Sequence, residues 1–224
     1  MSLIVFDLDG TLIDSRLDLA ESTNEMLGTF GAPVLPVDRV AMMVGEGARK
    51  LVEQALAAAG LGDDAADVNE ALRRFREIYD RRLLVHTKPY DGIAAVVDRL
   101  SQMFPLAVLT NKPDAPSRRL LEALGLSGNF RQVIGGDSEF ARKPDPEGLR
   151  ALMTTFGTTP ADTWLIGDSM IDVQTARHAG TRMCAVLYGF GHLRGELVLN
   201  GSEKTARTPS EILAVVAPGG TMQP

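Results

Sequence analysis

A disulfide within the chain is excluded at once, because Cys184 is the only cysteine among 224 residues, and a cysteine zinc cluster is excluded with it. Aromatic residues are scarce at 5%. The apolar 45% of the chain therefore rests on alanine, leucine and valine, which suits helices and buried parallel strands. No apolar run approaches the ~18 residues of a membrane span. The opening Met1-Ser2-Leu3-Ile4-Val5-Phe6 meets acids directly and lacks the basic start and cleavage site of a secretory leader. A soluble cytoplasmic protein is the expectation. Positive charge is in deficit, with 23 Lys and Arg against 29 Asp and Glu and a net charge of −6, which argues against a nucleic-acid duplex as ligand. What is present suffices for an ordinary globular core, and at about 150 residues per domain the length allows one to two domains.

Two kinds of pattern divide the chain. Leu3-Ile4-Val5-Phe6 is a short apolar run that suits a strand buried on both faces, and it ends in Asp7-Leu8-Asp9-Gly10. Helical periodicity follows over residues 17–30, 48–59 and 64–83, with stops at Gly31 and Gly60 and an apolar stripe of Val68, Leu72, Phe75 and Tyr79. After Pro89-Tyr90-Asp91-Gly92 strands and helices alternate. Strands are expected at 106–109, 132–134, 164–166 and 183–187, and helices at 93–102, 118–124, 146–156 and 171–179. Thr208-Pro209-Ser210-Glu211 reads as a capping box opening a last helix to residue 216. This alternation predicts an α/β fold with a doubly wound parallel sheet. The sheet domain is split into residues 1–14 and 88–217, a helical insertion over 15–87 follows the first strand, and residues 218–224 are expected to fray as a disordered tail. An insertion that leaves from the carboxyl end of the first strand stands where ligands bind in such sheets and is placed to act as a lid.

The chemistry-bearing residues fall at strand ends or just before helices: Asp7 and Asp9, Thr110, Lys143, and Asp168. In an open parallel sheet these ends converge on one crevice. Clustered carboxylates need a cation, and hard oxygen ligands select Mg²⁺; a lysine and a threonine beside them suit a phosphoryl group. Residues two apart in an extended segment share a side. One of Asp7 and Asp9 can therefore attack phosphorus while the other protonates the leaving oxygen. Asp-x-Asp-Gly-Thr arises by chance in roughly one such chain in a thousand, so a plain Asp-Gly turn is the weaker explanation. Leu109-Thr110-Asn111-Lys112 is commonplace alone, Lys143 before Pro144 also fits a solvated loop, and Asp168 also fits a helix cap. Their occurrence together, in this order, is harder to dismiss.

These blocks resemble the haloacid dehalogenase-like phosphohydrolases, a resemblance whose catalytic blocks span residues 7–172 and whose strand-helix pattern covers nearly the whole chain. It implies a Rossmann-like core with a helical type 1 cap. Asp7 is implied as the nucleophile that forms an aspartyl-phosphate, and Asp9 as the acid/base. Thr110 and Lys143 become the phosphate-stabilising pair, with Gly10 and Asn111 also at the phosphate. Mg²⁺ would sit on the Asp7 carboxylate, the Asp9 main-chain carbonyl and Asp168, with Asp172 in support. An acid two residues past Asp7 resembles the phosphatase and phosphomutase branch. Val44-Gly45-Glu46-Gly47-Ala48, Thr110-Asn111-Lys112-Pro113, Val133-Ile134-Gly135-Gly136-Asp137 and Tyr188-Gly189-Phe190-Gly191 resemble phosphoglycolate phosphatases. Asp91 stands where that family commonly has proline, in a hinge turn.

Substrate choice is expected to lie in the cap stretch Gly45, Glu46, Gly47 and Arg49. Its glycines let the backbone approach a ligand closely, and free N–H groups at a helix start near Ala48, with Arg49 or Lys50, are candidates for an anion; solvated side chains are the alternative for both. His86, His178 and His192 lack metal-ligand spacing, and Cys184 reads as a small core residue. The expected function is Mg²⁺-dependent hydrolysis of a small phosphorylated metabolite, foremost 2-phosphoglycolate, by a monomer or homodimer. A β-phosphoglucomutase-like sugar phosphomutase and a receiver-like phospho-acceptor are the alternatives.

Overall fold

All four side chains of β1 (Leu3–Phe6) are buried, as a central strand covered on both faces requires. The computed structural model describes residues 2–61, 67–191 and 197–217. β1 leads into the short β2 (Ile13–Asp14) and then α1 (Arg16–Gly28), α2 (Val37–Ala41), α3 (Ala48–Ala58) and α4 (Val68–Arg82). β3 (Lys88–Pro89) returns the chain to α5 (Ile93–Ser101), β4 (Leu106–Leu109), α6 (Asp114–Ala123), β5 (Gln132–Ile134) and α7 (Glu147–Phe156). β6 (Thr163–Gly167), α8 (Met170–Ala179), β7 (Arg182–Val186), β8 (Lys204–Ala206) and α9 (Pro209–Val216) complete the order.

Six strands form a parallel sheet in the order β5-β4-β1-β6-β7-β8. Alternation along β1 divides the core between two faces. Ile4 and Phe6 pack with residues of α5, α6 and α9, and Leu3 and Val5 pack with residues of α7 and α8. The first cluster continues through Leu8, Leu12 and Ile13 into α1–α4. On α4 the expected stripe is present, with Leu72, Phe75 and Tyr79 buried and Phe75 stacked on Tyr79 at 5.6 Å between ring centres. β2 and β3 pair antiparallel, Ile13 with Pro89 and Asp14 with Lys88, so the two crossings between sheet and helices run side by side. The buried Asp18 carboxylate reinforces them by accepting from the backbone N–H groups of His86 and Thr87 and the Thr87 hydroxyl.

Several local expectations are corrected. α1 ends at Gly28 rather than at residue 30, and α6 begins four residues before residue 118 because Pro113 occupies its N-cap position. β2, β3, α2 and β8 leave no sequence signal: they are two to five residues long, and β8 reads Lys-Thr-Ala. The capping box at α9 does not form, since the Glu211 carboxylate accepts from the Arg207 N–H and the Thr208 hydroxyl pairs with Ser210. α4 is described from Val68, capped by Asp67; its expected start at Asp64, His192 and the tail 218–224 lie outside the described residues. Cys184 is fully buried in the core.

Candidate active site

β1 lies between β4 and β6, and the chain leaves it toward opposite edges of the sheet, which opens a crevice at the strands' carboxyl ends. Asp7 follows β1, Thr110 follows β4 and Asp168 follows β6. The loop after β5 brings Lys143 back over the sheet end, and α8 brings Asp172 under it. Asp7, Asp168 and Asp172 are all buried, and each offers a carboxylate oxygen within 4.8 Å of the other two. The buried Lys143 ammonium lies 2.8 Å from Asp7 and 2.6 Å from Asp172.

The charge balance of this cluster is uneven. Three carboxylates face one ammonium, which leaves two negative charges uncompensated if all three ionise. Burial, the Asp172 charge and incomplete relief from Lys143 hold the Asp7 carboxyl up to about 7. Asp168 is pushed well above the usual carboxylate range by burial and by the charges of Asp172 and Asp7. Burial works against the charge of Lys143, but Asp172 and Asp7 outweigh it and keep the ammonium above its ordinary value. Such an all-oxygen, anion-rich, buried set fits a divalent cation. The bonding sorts the ligands further: Asp172 accepts from Lys143 on one oxygen and from the Ser169 hydroxyl and N–H on the other. Asp7 and Asp168 are left as the carboxylates best able to face a cation, and Asp172 positions Lys143.

Backbone fit around Asp168 is close. Its carboxylate accepts from the Gly191 N–H at 2.6 Å and from the Thr11 hydroxyl at 3.4 Å. Gly10 has φ +89, and a side chain there would overlap Asp168; a side chain at Gly189 would overlap both Asp168 and the Gly10 carbonyl. Tyr188 donates to the Thr11 carbonyl. The Tyr188–Gly191 stretch thus walls the acidic cluster. The sequence motif alone carries no sign of this task.

Asp9 points to another neighbour. Its carboxylate accepts from the Ser15 hydroxyl at 2.5 Å and lies 3.0 and 3.1 Å from the Lys112 ammonium. Lys112 is itself buried and stands 4.7 Å from the ring centre of Tyr79 on α4. The Asn111 amide donates to the Gly45 carbonyl in the helical segment and to the Lys143 carbonyl. A cavity of about 560 Å³ opens here, lined by Asp7, Asp9, Thr110, Asn111 and Lys112 on the sheet side. Gly45, Gly47, Leu51, Phe75 and Tyr79 face them from the helical side.

Asp7, Asp9, Thr110, Asn111 and Lys143 come together as expected, with Asp168 and Asp172 beside them. Gly45 and Gly47 reach the cavity. Three expectations need correction. The Gly10 N–H donates to the Ile13 carbonyl, so its contribution is close backbone approach to Asp168 rather than a phosphate contact. Arg49 lies outside the cavity lining, about half exposed, hydrogen-bonded to Asn69 and 3.6 Å from Glu53. Glu46 is also outside the lining. The helical phase explains Arg49: Ala48 and Leu51 face the cavity, and a residue next to Ala48 is rotated by about 100° toward solvent. Asp168 is not a helix cap; Ser169 caps α8 and Asp172 completes that capping box. The residue missed is Lys112.

Residues 4–186 match the family model described as haloacid dehalogenase-like hydrolase. The chain is 41% identical over 192 residues to phosphoglycolate phosphatase of Rhodospirillum rubrum, covering 84% of this chain and 80% of that one. It is 32% identical over 217 residues to phosphoglycolate phosphatase of Aquifex aeolicus, covering 96% and 97%. The crystal structure of a predicted phosphoglycolate phosphatase from Haemophilus somnus superposes with a TM-score of 0.88 at 29% identity, covering 96% of this chain and 97% of that one. No helix among the described residues is long and apolar enough to cross a membrane.

Proposed function

The chain belongs to the haloacid dehalogenase-like hydrolases and is a phosphoric monoester hydrolase, and from that premise we propose that it hydrolyses 2-phosphoglycolate to glycolate and phosphate. The observation that carries this reading is the convergence of Asp7, Thr110 and Lys143 with the buried Asp168 and Asp172 at one end of the sheet, open to a cavity of metabolite size.

An Asp7 oxygen attacks phosphorus, the bond to the ester oxygen breaks, and Asp9 gives that oxygen its proton. Asp9 then takes a proton from water, the water oxygen attacks phosphorus, and the Asp7 carboxylate is released with inorganic phosphate. The Lys143 ammonium, fixed by Asp172, favours the ionised form of Asp7 against the effect of burial and offsets charge on the phosphoryl oxygens; the Thr110 hydroxyl donates to the same group. Mg²⁺ would be held by Asp7, Asp168 and the Asp9 carbonyl, with Asp172 in support, and would supply charge neutralisation of the phosphoryl group. Residues 15–87 serve as a cap on a core of residues 1–14 and 88–217, and exclude water until phosphoryl transfer is under way. The β2–β3 pair is the hinge. A monomer or homodimer acting in the cytoplasm belongs to the same proposal.

The test is steady-state release of phosphate by the full chain from a panel of small phosphomonoesters with Mg²⁺ present. Multiple turnover with 2-phosphoglycolate as preferred substrate is expected. Phosphate transfer that depends on a sugar bisphosphate primer would make it a mutase instead. Labelling that stops after one equivalent would make it a phospho-acceptor.

A further inference from the structure

We infer that Lys112 and Tyr79 together recognise an acid group on the carbon next to the phosphoester oxygen, and so restrict the enzyme to phosphate esters of 2-hydroxy acids. This rests on the phosphatase reading above and adds the residues that choose the substrate.

The cavity holds a cation in an unusual place. Lys112 lies in the loop between β4 and α6, yet its side chain is only 5% exposed. It lies against Asp9 on one side and the Tyr79 ring on the other. A lysine serving only as a solvated loop residue has no reason to be there. Asp9 must reach the leaving oxygen within about 3 Å to protonate it. The ammonium is 3.0–3.1 Å from both Asp9 oxygens. Two such contacts in succession put the ammonium within about 6 Å of the leaving oxygen. A carboxylate on the adjoining carbon extends roughly 3 Å from that oxygen and needs a further contact of about 2.8 Å to a cation. The two spans agree. A neutral alcohol leaving group would offer Lys112 nothing there.

Tyr79 supplies an independent sign of a missing occupant. Its side chain lines the cavity, the residue is 7% exposed, and its hydroxyl finds no acceptor among the described residues. A buried hydroxyl in that condition is costly unless a ligand accepts from it. Among the described residues, the other cations lining the cavity, Arg76, Arg119 and Arg142, form no ion pair with Asp9. Arg119 pairs with Asp80, Arg142 donates to the Gly136 carbonyl, and Arg76 sits on the exposed side of α4. The arrangement also gives the helical segment a part in selection. Tyr79 belongs to α4 and Lys112 to the sheet domain, so the acid site is complete only with the two in contact.

The test compares kcat/KM for 2-phosphoglycolate with that for the phosphate ester of glycolamide, a neutral molecule of the same shape. The wild-type enzyme is expected to prefer the acid by about a hundredfold, the upper range for a charged hydrogen-bonded contact. Lys112→Gln should lower that ratio at least about tenfold, chiefly through KM for the acid, and Lys112→Arg should restore part of it. Tyr79→Phe removes only a hydroxyl that lies beside Lys112 and has no acceptor among the described residues, threatens the fold least, and should lower the ratio about threefold to tenfold. A lysine that merely holds Asp9 would slow both substrates alike and leave the ratio unmoved; that result overturns the inference. So does a wild-type ratio near one. Absence of turnover on both esters and on an aryl phosphate would instead sink the phosphatase reading itself.

Discussion

Replacing Asp168 by asparagine is expected to stabilise the metal-free protein while removing its response to Mg²⁺. The amide keeps the carboxylate's shape and can still accept from the Gly191 N–H. What it removes is one of three buried acids whose oxygens lie within 4.8 Å of one another. Two unit charges about 5 Å apart repel by roughly 3 kcal/mol at an effective dielectric of 20, and Lys143 offsets part of that. A net gain of about 1–3 kcal/mol is expected once the cluster is ionised. The sign depends on pH. Asp168 is held well above its ordinary value in the folded chain, so the native state retains a proton that the unfolded chain has released. That contribution is complete below about pH 4 and is lost as pH rises through the folded value. Asp7, raised to about 7, behaves the same way. Asparagine is neutral throughout, so the variant and the wild type should be closest near pH 4, already differ at pH 5.5 and differ most at pH 9.

Urea denaturation in chelator at pH 5.5 and pH 9 measures the difference, and repeating it with Mg²⁺ measures the response to metal. A ligand at a hundred times its Kd stabilises the native state by about 2.7 kcal/mol. The wild type should gain that much at pH 9 and less at pH 5.5, where protons compete for the same oxygens. The variant should gain little at either. A variant less stable than wild type by more than about 1 kcal/mol in chelator at pH 9 would refute the electrostatic reasoning. An equal Mg²⁺ response would refute the assignment of Asp168 as a ligand.

Three further substitutions probe separate parts of the site. Asp9→Asn should slow turnover by about a hundred- to ten-thousand-fold. With an aryl phosphate, whose leaving group needs little protonation, it should accumulate phosphate on Asp7, seen as a burst of phenol and a mass increase on the peptide carrying Asp7; label elsewhere would contradict the assignment. Gly10→Ala must place a methyl group against Asp168 at φ +89, costing about 1–3 kcal/mol of stability and weakening Mg²⁺ binding; an unchanged Mg²⁺ titration would show that the contact relaxes freely. Arg49→Ala should change kcat/KM by less than about twofold for acidic and neutral substrates alike, as expected of an exposed ion pair. A KM increase confined to acidic substrates would return Arg49 to the site.

The positions of Asp7, Thr110 and Asp168 were legible because each follows a buried apolar run, and a parallel sheet brings such ends together whatever the loops do. Lys143 and Asp172 were legible as parts of the same ordered set. Lys112 was not, because a lysine in a turn after a strand ordinarily points to water. Its partners are 103 residues back at Asp9 and on α4, where Tyr79 continues an apolar stripe and reads as core. Arg49 was misread for the opposite reason. A basic residue after a glycine pair at a helix start resembles an anion site, but which side of α3 faces the cavity is settled by the packing of Leu51, Val52, Ala55 and Leu56, not by the first turn. The two-residue β2 and β3 are too short to leave a period of two, and their pairing depends on contacts across the whole inserted segment.

The loop after β4 joins two tasks that could have been separate. Thr110 lines the cavity with Asp7, Asn111 holds the Gly45 carbonyl of the helical segment, and Lys112 packs on Tyr79 of the same segment. Neutral and cation–ring contacts of this kind contribute about 1 kcal/mol each and add to the apolar packing that continues from Leu8, Leu12 and Ile13 into α1–α4. Differential contacts of that size suffice to shift an equilibrium between two arrangements of the seam. On the proposed reading, a substrate carrying phosphate and an acid would meet Thr110 and Lys112 from the sheet side and Tyr79 from the helical side, whereas a bare phosphate ester would leave Lys112 and Tyr79 unused. Substrate choice and closure would then be coupled, because Lys112 and Tyr79 belong to different parts of the fold.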